Sequence, residues 1–183
     1  MAFSLLFTGH MIDMPGRPEP RFPPSLEEGA RARIGAAVDR GMPDPPERSA
    51  VLGFASGARG GDILFHEECR RREIETVMVL PFETAEFVRR SVEGALGGEW
   101  PRRFWDLWNA TPARRRRVLG LAPTDEAYTL CNTELLEMAR RHGRVHLIAL
   151  WDGKGGDGPG GTADLVSRLS AEDKSDIFAP NDL

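Results

Sequence analysis

The sequence has no long apolar run and no excess of positive charge. No stretch approaches the roughly 18 apolar residues that a membrane-spanning helix needs. The first residues carry no Lys or Arg ahead of a short apolar run, whereas a secretory signal peptide has a basic start and a longer apolar region. The formal charge is −4, from 24 basic and 28 acidic residues, which is atypical of a nucleic-acid-binding protein. We therefore expect a soluble, cytoplasmic protein that binds neither membrane nor nucleic acid.

Cysteine is also scarce. The two cysteines, Cys69 and Cys131, fall in segments with helical patterns and lack the spacing of metal ligands. A disulfide framework is therefore not expected, and both are interpreted as small buried apolar residues in a reducing compartment. The four consecutive arginines at 114–117 lack regular aromatic interleaving and are interpreted as a solvated face.

Glycine and proline, in contrast, are abundant. Together they make up 34 of 183 residues, where an average chain carries roughly 12 %. The hydrophobic content of 40 % is nevertheless sufficient for a buried core. Half of the 34 fall in three short stretches, 9–24, 57–61 and 153–161. The excess therefore marks particular loops of a single domain, 1–183, rather than disorder.

Short apolar runs alternate with amphipathic segments along the chain. Apolar runs at 3–8, 50–55, 76–80 and 145–151, and a weaker one at 176–179, predict strands that are buried on both faces. Helices are predicted at 25–40, 62–72, 125–141 and 162–169, the first with a capping box of Ser25 and Glu28. This order predicts a three-layer, Rossmann-like, doubly wound α/β fold with a mostly parallel sheet of about five strands. The segment at about 83–121 is predicted to be a helical insertion over the sheet.

Three loops that follow predicted strands have an unusual composition. Gly-rich junctions at 56–62 and 152–162 each lead from a strand into a helix, and a Pro-rich arm follows the first strand. Glycine lets successive backbone N–H groups point into a concavity, and a helix N-terminus adds further donors, so such loops suit phosphate. Neither junction is a P-loop or a G-x-G-x-x-G motif. Because ligands bind where the carboxyl ends of parallel strands meet, we expect a phosphate site there.

Several side chains in these loops are candidates for chemistry or binding. His10 has the intrinsic pKa of a general acid or base, or it holds its loop by hydrogen bonds. Asp13 is a candidate to accept a hydrogen bond from a ribose hydroxyl or to hold a metal, and the alternative is that it forms a turn. Asp62 lies four residues before His66 on one helical face, as a ligand pair or as an ordinary first-turn carboxylate. Asp152 is a candidate for ribose or metal contact, and Arg17 and Arg21 either clamp phosphate or are solvated.

Segments 9–18, 61–67, 151–153 and 156–162 together resemble the SLOG superfamily, a Rossmann-like group that includes the DprA/Smf and LOG proteins. The resemblance implies a bacterial nucleotide-binding domain, often a sensor beside signalling modules. It implies that Pro159, Gly160, Gly161 and Thr162 form the phosphate loop, to which the composition of the junction adds Gly158, and that Gly9, Ser56 and Gly57 line the floor. LOG-type phosphoribohydrolases carry a longer loop followed by a Glu, whereas this sequence has Leu165 at the corresponding place. This departure favours binding over catalysis.

The leading hypothesis is the binding or sensing of a phosphorylated nucleoside derivative, with Gly60 and Gly61 as a second set of phosphate donors. The alternative is an N-glycosidic hydrolase or transferase acting on nucleoside monophosphates, either LOG-like or deoxyribosyltransferase-like, which would need a carboxylate at the anomeric carbon. Its candidate carboxylates are Asp13, Asp62 and Asp152. A third class is a pure interaction module. No metal site is predicted, although a divalent cation could accompany the nucleotide, and a homodimer through the Trp-rich insertion stays open.

Overall fold

A computed structural model describes residues 2–44, 50–155, 160–170, 173 and 175–182. The described residues form one sheet of six parallel strands in the order β4-β3-β2-β1-β5-β6. In chain order the elements are β1 (Phe3–Gly9), α1 (Glu27–Gly41), β2 (Val51–Ala55), α2 (Gly61–Arg71), β3 (Thr76–Leu80), α3 (Thr84–Phe87), α4 (Trp100–Ala110), β4 (Arg116–Val118), α5 (Asp125–His142), β5 (Arg144–Leu150), α6 (Thr162–Ser167) and β6 (Ser175–Phe178). The predicted Rossmann-like α/β fold is confirmed.

Both faces of the sheet are buried, which explains why the strands do not alternate between apolar and polar residues. In β1, Leu5 and Phe7 pack into the core beneath α1, α2 and α4. Leu6, which points the other way, packs into the core beneath α5 and α6. The sheet is therefore the middle of three layers.

The sheet has six strands where the sequence predicts about five. The additional strand is β4, a three-residue edge strand that pairs with β3 through Met78–Arg116 and Leu80–Val118. It falls in the arginine run that was interpreted as a solvated face. Edge strands often carry charged residues because charge discourages pairing with other chains, so the hydrophobic pattern did not reveal it.

The predicted insertion packs against the α1/α2 side of the sheet. It consists of α3, which continues as a π-helical turn at Val88–Val92, and then α4. Trp100, Phe104 and Trp108 of α4 are buried in the same core as β1. This face of α4 is therefore a packing face.

Helix α1 begins differently from the prediction. Ser25 lies inside a 3-10 turn, Pro24–Leu26, so the α-helix starts only at Glu27. The cap residue is Leu26, and no side chain caps the helix. The predicted capping box of Ser25 and Glu28 is therefore wrong.

The direction of the chain across the sheet reverses at β1. Strands β2, β3 and β4 lie in succession on one side of β1, and β5 and β6 lie on the other. Such a switch point opens a crevice at the carboxyl ends of the strands. None of the described helices is long and apolar enough to cross a membrane.

Candidate functional site

A cavity of about 320 Å³ lies at the carboxyl ends of β1, β2 and β5. Its walls come from the loops after these strands, from the π-helical turn and from the start of α5 and α6. Predicted site residues that line it are Gly9, His10, Asp13, Arg17, Arg21, Ser56, Asp62, Gly160, Gly161 and Thr162. The structure therefore brings most of the predicted loop residues together at one edge of the sheet.

Three predicted glycines in the loop between β2 and α2 do not line the cavity: Gly57, Gly60 and Gly61. The Gly61 N–H donates to the carbonyl oxygen of His10 over 3.1 Å. Gly60 has a φ of +88°, and a Cβ there would lie 2.5 Å from the backbone nitrogen of Ile12. Gly60 therefore lets two loops pack backbone to backbone, and the Gly61 N–H is already used within the protein.

The same loop places the guanidinium of Arg59 at the cavity. Arg59 is only 5 % exposed, and its Nε donates to the carbonyl oxygen of Ile12 over 3.1 Å. Its Nη1 lies 3.5 Å and 3.4 Å from the carbonyl oxygens of Arg90 and Glu93. No carboxylate pairs with Arg59, and Nη2 has no hydrogen bond, among the residues that the structure describes.

No carboxylate of the described residues forms an ion pair with the charge of Arg59. Burial lowers the pKa of Arg59 below its usual value, and the nearby Tyr128 and Asp13 partly oppose that shift. A guanidinium nevertheless stays protonated in proteins. A buried cation without an anion is costly, so an anionic ligand that entered the cavity would be strongly favoured.

Asp62, in the first turn of α2, is a second buried polar residue in the cavity wall. It is 8 % exposed, and its Oδ2 accepts a hydrogen bond from the Ala58 N–H over 3.1 Å. Burial raises the pKa of Asp62 to about 7, and the hydrogen bond from Ala58 opposes the rise. The side chain can therefore exchange a proton near neutral pH.

His66, one helical turn beyond Asp62, does not line the cavity and is fully occupied by hydrogen bonds. Its Nε2 lies 2.7 Å from the carbonyl oxygen of Ser56, and its Nδ1 lies 2.9 Å from the hydroxyl of Thr76. Burial lowers the pKa of His66 to about 4, partly opposed by the hydrogen bond to Ser56. The neutral ring therefore fixes the start of the β2–α2 loop, and His66 does not act with Asp62 as a ligand pair.

Asp13 holds the Pro-rich arm. Its Oδ2 accepts hydrogen bonds from the backbone N–H groups of Arg21 and Phe22, each over 2.9 Å, and its Oδ1 lies 3.6 Å from Nε of Arg17. These contacts close the loop from residue 13 to residue 22. They correspond to the turn-forming alternative for Asp13.

Arg21, Asp152 and His10 form a network at the mouth of the cavity. Arg21 donates from Nε and Nη2 to the two carboxylate oxygens of Asp152, over 3.1 Å and 2.9 Å. Burial alone would raise the pKa of Asp152, but the hydrogen bonds from Arg21 and the Lys154 N–H hold it well below its usual value. Asp152 is therefore an ionised partner of Arg21, and it does not itself line the cavity.

His10 also contacts Asp152. Its Nε2 lies 3.3 Å from both the backbone nitrogen and the Oδ1 of Asp152. The ring therefore has a partner whether Nε2 is protonated or not. Burial lowers the pKa of His10, the charge of Arg21 lowers it further, and Asp152 opposes both.

The loop between β5 and α6 is described at 151–155 and at 160–161, so the predicted residues Gly158 and Pro159 lie outside the described residues. Gly160 lies against Tyr128 and Thr129 at the start of α5, where a side chain has no room. Its carbonyl oxygen accepts a hydrogen bond from Asn132 over 2.7 Å. The Thr162 hydroxyl lies 3.4 Å from that of Thr8, so the two hydroxyls lie side by side on the cavity wall.

Further lining residues that the sequence did not single out include Arg59, Ser91, Tyr128 and Asn132. The hydroxyls of Ser91 and Tyr128 lie 3.0 Å apart, and the π-helical turn carries Ser91 to this position. A π-helical turn often marks a functional site, but no pattern in the sequence indicated one. Arg59 had a usable signal, since it is the only basic residue inside the first Gly-rich loop.

Both cysteines are buried and free, as expected. Burial raises the pKa of Cys131 to about 12 and that of Cys69 further, so neither is a reactive thiol. Within the described residues no group of three His, Cys, Asp or Glu side chains could hold a metal ion.

Comparison of the sequence with known proteins gives no match to any family model or curated protein. The resemblance to the SLOG superfamily therefore stays a prediction.

Proposed function

We propose that this protein binds a phosphorylated nucleoside derivative in the cavity at the carboxyl edge of its sheet. The observation that carries the proposal is the buried guanidinium of Arg59, which lines the cavity without a carboxylate partner among the described residues. An Arg is well suited to phosphate because its planar donors match phosphate oxygens. Its Nη2 is available for such a bond.

The rest of the wall supports a nucleoside as the other part of the ligand. Thr8, Thr162 and Asn132 offer hydroxyl and amide groups suited to a sugar, while Met11 and Met14 offer apolar surface suited to a base. Ligand pockets are typically about 300–1,000 Å³, so a cavity of about 320 Å³ suits one nucleotide rather than a dinucleotide. The same proposal includes membership of the SLOG superfamily, a cytoplasmic location and a sensing role in signalling.

A thermal-shift screen with adenosine, guanosine, cytidine and uridine 5′-monophosphates tests the proposal. A ligand at 100 times its Kd should add about 2.7 kcal/mol to the free energy of unfolding. The Arg59→Gln variant should bind the same nucleotide about 10- to 100-fold more weakly, because a hydrogen bond to a charged group contributes roughly 1.5–3 kcal/mol.

Arg103→Gln is the matched control. Arg103 is also largely buried, but it pairs with Glu27 and Glu67 and does not line this cavity. This variant should lose stability and keep the wild-type Kd. Absence of any nucleotide-induced shift in the wild-type protein, or equal affinities of wild type and Arg59→Gln, would overturn the proposal.

A second candidate function is N-glycosidic cleavage of a nucleoside monophosphate, and the environment of Asp62 favours it. Of the three candidate carboxylates, Asp13 and Asp152 are occupied by backbone N–H groups and arginines. Asp62 could give its proton to the departing base and regain one from the water molecule that adds to the anomeric carbon. Base release that Asp62→Asn abolishes would establish catalysis, whereas tight binding without base release would leave the protein a binder.

A further inference from the structure

Among the buried carboxyl groups of the cavity, Asp62 is the one that no cation accompanies in the described residues. Asp13 lies beside Arg17. Asp62 forms no ion pair, and its one hydrogen bond joins Oδ2 to the Ala58 N–H. The second oxygen, Oδ1, has no partner in the described part of the chain, although the residue lines the cavity. It is therefore available to a ligand.

The titratable groups around Asp62 do not supply a counter-charge. On α2, His66 is neutral because burial lowers its pKa to about 4. On α5, Cys131 is a neutral thiol, and the Tyr128 hydroxyl bonds to Ser91. After β1, the pKa of His10 is lowered, so the ring is neutral above pH 7.

The arginines that line the same cavity bind to groups other than Asp62. Arg59 is bound to backbone carbonyls, Arg21 to Asp152, and Arg17 to Asp13. Arg90 contacts Glu86, and Asp125 is exposed at the rim. No ion pair joins any of these cations to Asp62 in the described residues.

We propose that Asp62 binds the ligand as a neutral carboxylic acid, donating its proton in a hydrogen bond to an uncharged acceptor on the nucleoside part of the ligand. This inference rests on the proposed function and assigns Asp62 as a specificity-determining residue of the site. A protonated carboxyl has a donor that an ionised one lacks, and it adds no negative charge beside a phosphate. Nucleotide binding therefore takes up a proton at and above neutral pH.

The pKa of about 7 for the unliganded side chain sets the size of the effect. Above that pH most Asp62 side chains must gain a proton before they can bind. By linkage, the Kd should rise about 50-fold between pH 7 and pH 9, and about 0.9 proton should be taken up per ligand at pH 8. The second phosphate ionisation has a pKa near 6, so it contributes little in this range.

Isothermal titration calorimetry with the nucleoside monophosphate that gives the largest thermal shift tests this inference. Titrations at pH 7, 8 and 9, in buffers of different ionisation enthalpy, give both the Kd and the number of protons taken up. Asp62→Asn supplies an amide donor that cannot ionise, so its Kd should stay constant within about twofold over the same range, with no proton uptake.

The outcomes separate the inference from the proposed function. If the wild-type protein binds the nucleotide without proton uptake at pH 8, the inference is wrong and the proposed function stands. The same holds if Asp62→Asn retains the wild-type proton uptake, because another group would then be the donor. If no nucleotide binds to the wild-type protein at any pH, both fail. The wild-type proton count decides the question even if the variant does not fold.

Discussion

The two Gly-rich loops look alike in the sequence but differ in the structure. In the β2–α2 loop, a Cβ at Gly57, Gly60 or Gly61 would lie within about 3 Å of another part of the chain. In the described part of the β5–α6 loop, Gly160 also packs closely, against the start of α5, but the two glycines Gly153 and Gly155 have open space around them. The glycines of the first loop are therefore needed for close packing, and those two of the second are not.

The two loops can also be compared by whether their backbone or their side chains face the cavity. The first loop uses the N–H groups of Ala58, Arg59 and Gly61 within the protein, in bonds to Asp62, Ser91 and His10. What it offers to the cavity are the side chains of Arg59 and, at the start of α2, Asp62. A Gly-rich loop before a helix therefore need not be an anion cradle, because its glycines can serve to bring charged side chains to a ligand.

Gly60→Ala should have the largest effect on stability. The residue has φ +88° and ψ −124°, a conformation that costs a side chain about 1–3 kcal/mol, and the added Cβ would overlap the backbone at Ile12. We expect a loss of about 3 kcal/mol or more in the free energy of unfolding, measured by urea denaturation.

Gly155→Ala in the second loop is the matched control. It should change the free energy of unfolding by less than about 0.5 kcal/mol, since nothing lies near the added carbon. Similar losses in the two variants would contradict the distinction between the loops.

His66 should make the anchoring of the first loop sensitive to acid. Its folded pKa is about 4 against an ordinary 6.5. The stability that comes from the neutral ring is therefore complete above pH 6.5 and is lost as the pH falls toward 4. The loss should be about 3 kcal/mol, measured as the free energy of unfolding of wild type relative to His66→Gln at each pH. Parallel pH profiles for the two proteins would show that His66 is not the group responsible.

Apart from the Gly155→Ala control, the smallest effect is expected where the second loop is tied to the Pro-rich arm. Arg21 and Asp152 form a bidentate but partly exposed pair, so a double-mutant cycle with Arg21→Gln and Asp152→Asn should give a coupling energy of about 1 kcal/mol. Because pairing lowers the pKa of Asp152, the coupling is present above pH 4 and is lost at lower pH. Zero coupling at pH 7 would mean that the second loop is not held by this pair.

Features that depend on local sequence could be predicted, and those that depend on packing between distant segments could not. The apolar runs of β1, β2, β3 and β5 predict buried parallel strands, and parallel strands bring their following loops together. Strand β4 was missed because it is a short, arginine-rich edge strand.

Within the site, the roles of residues depended on contacts that the sequence does not contain. Asp13 and Asp62 are equally plausible acids in the sequence, yet one accepts two backbone N–H groups and the other retains an unpaired oxygen. Tyr128 and Asn132 reach the cavity because α5 packs beside β1, some 120 residues away in the chain. No local pattern predicts such a contact.

The most direct test of the account is the NMR signal of the Arg59 Nε–H group. This group donates to the carbonyl oxygen of Ile12, which should slow its exchange with water, and Arg59→Lys assigns the signal by its loss. The account predicts that a saturating nucleoside monophosphate shifts this signal and leaves that of Arg103 in place. An unchanged Arg59 signal in the presence of bound nucleotide would contradict it.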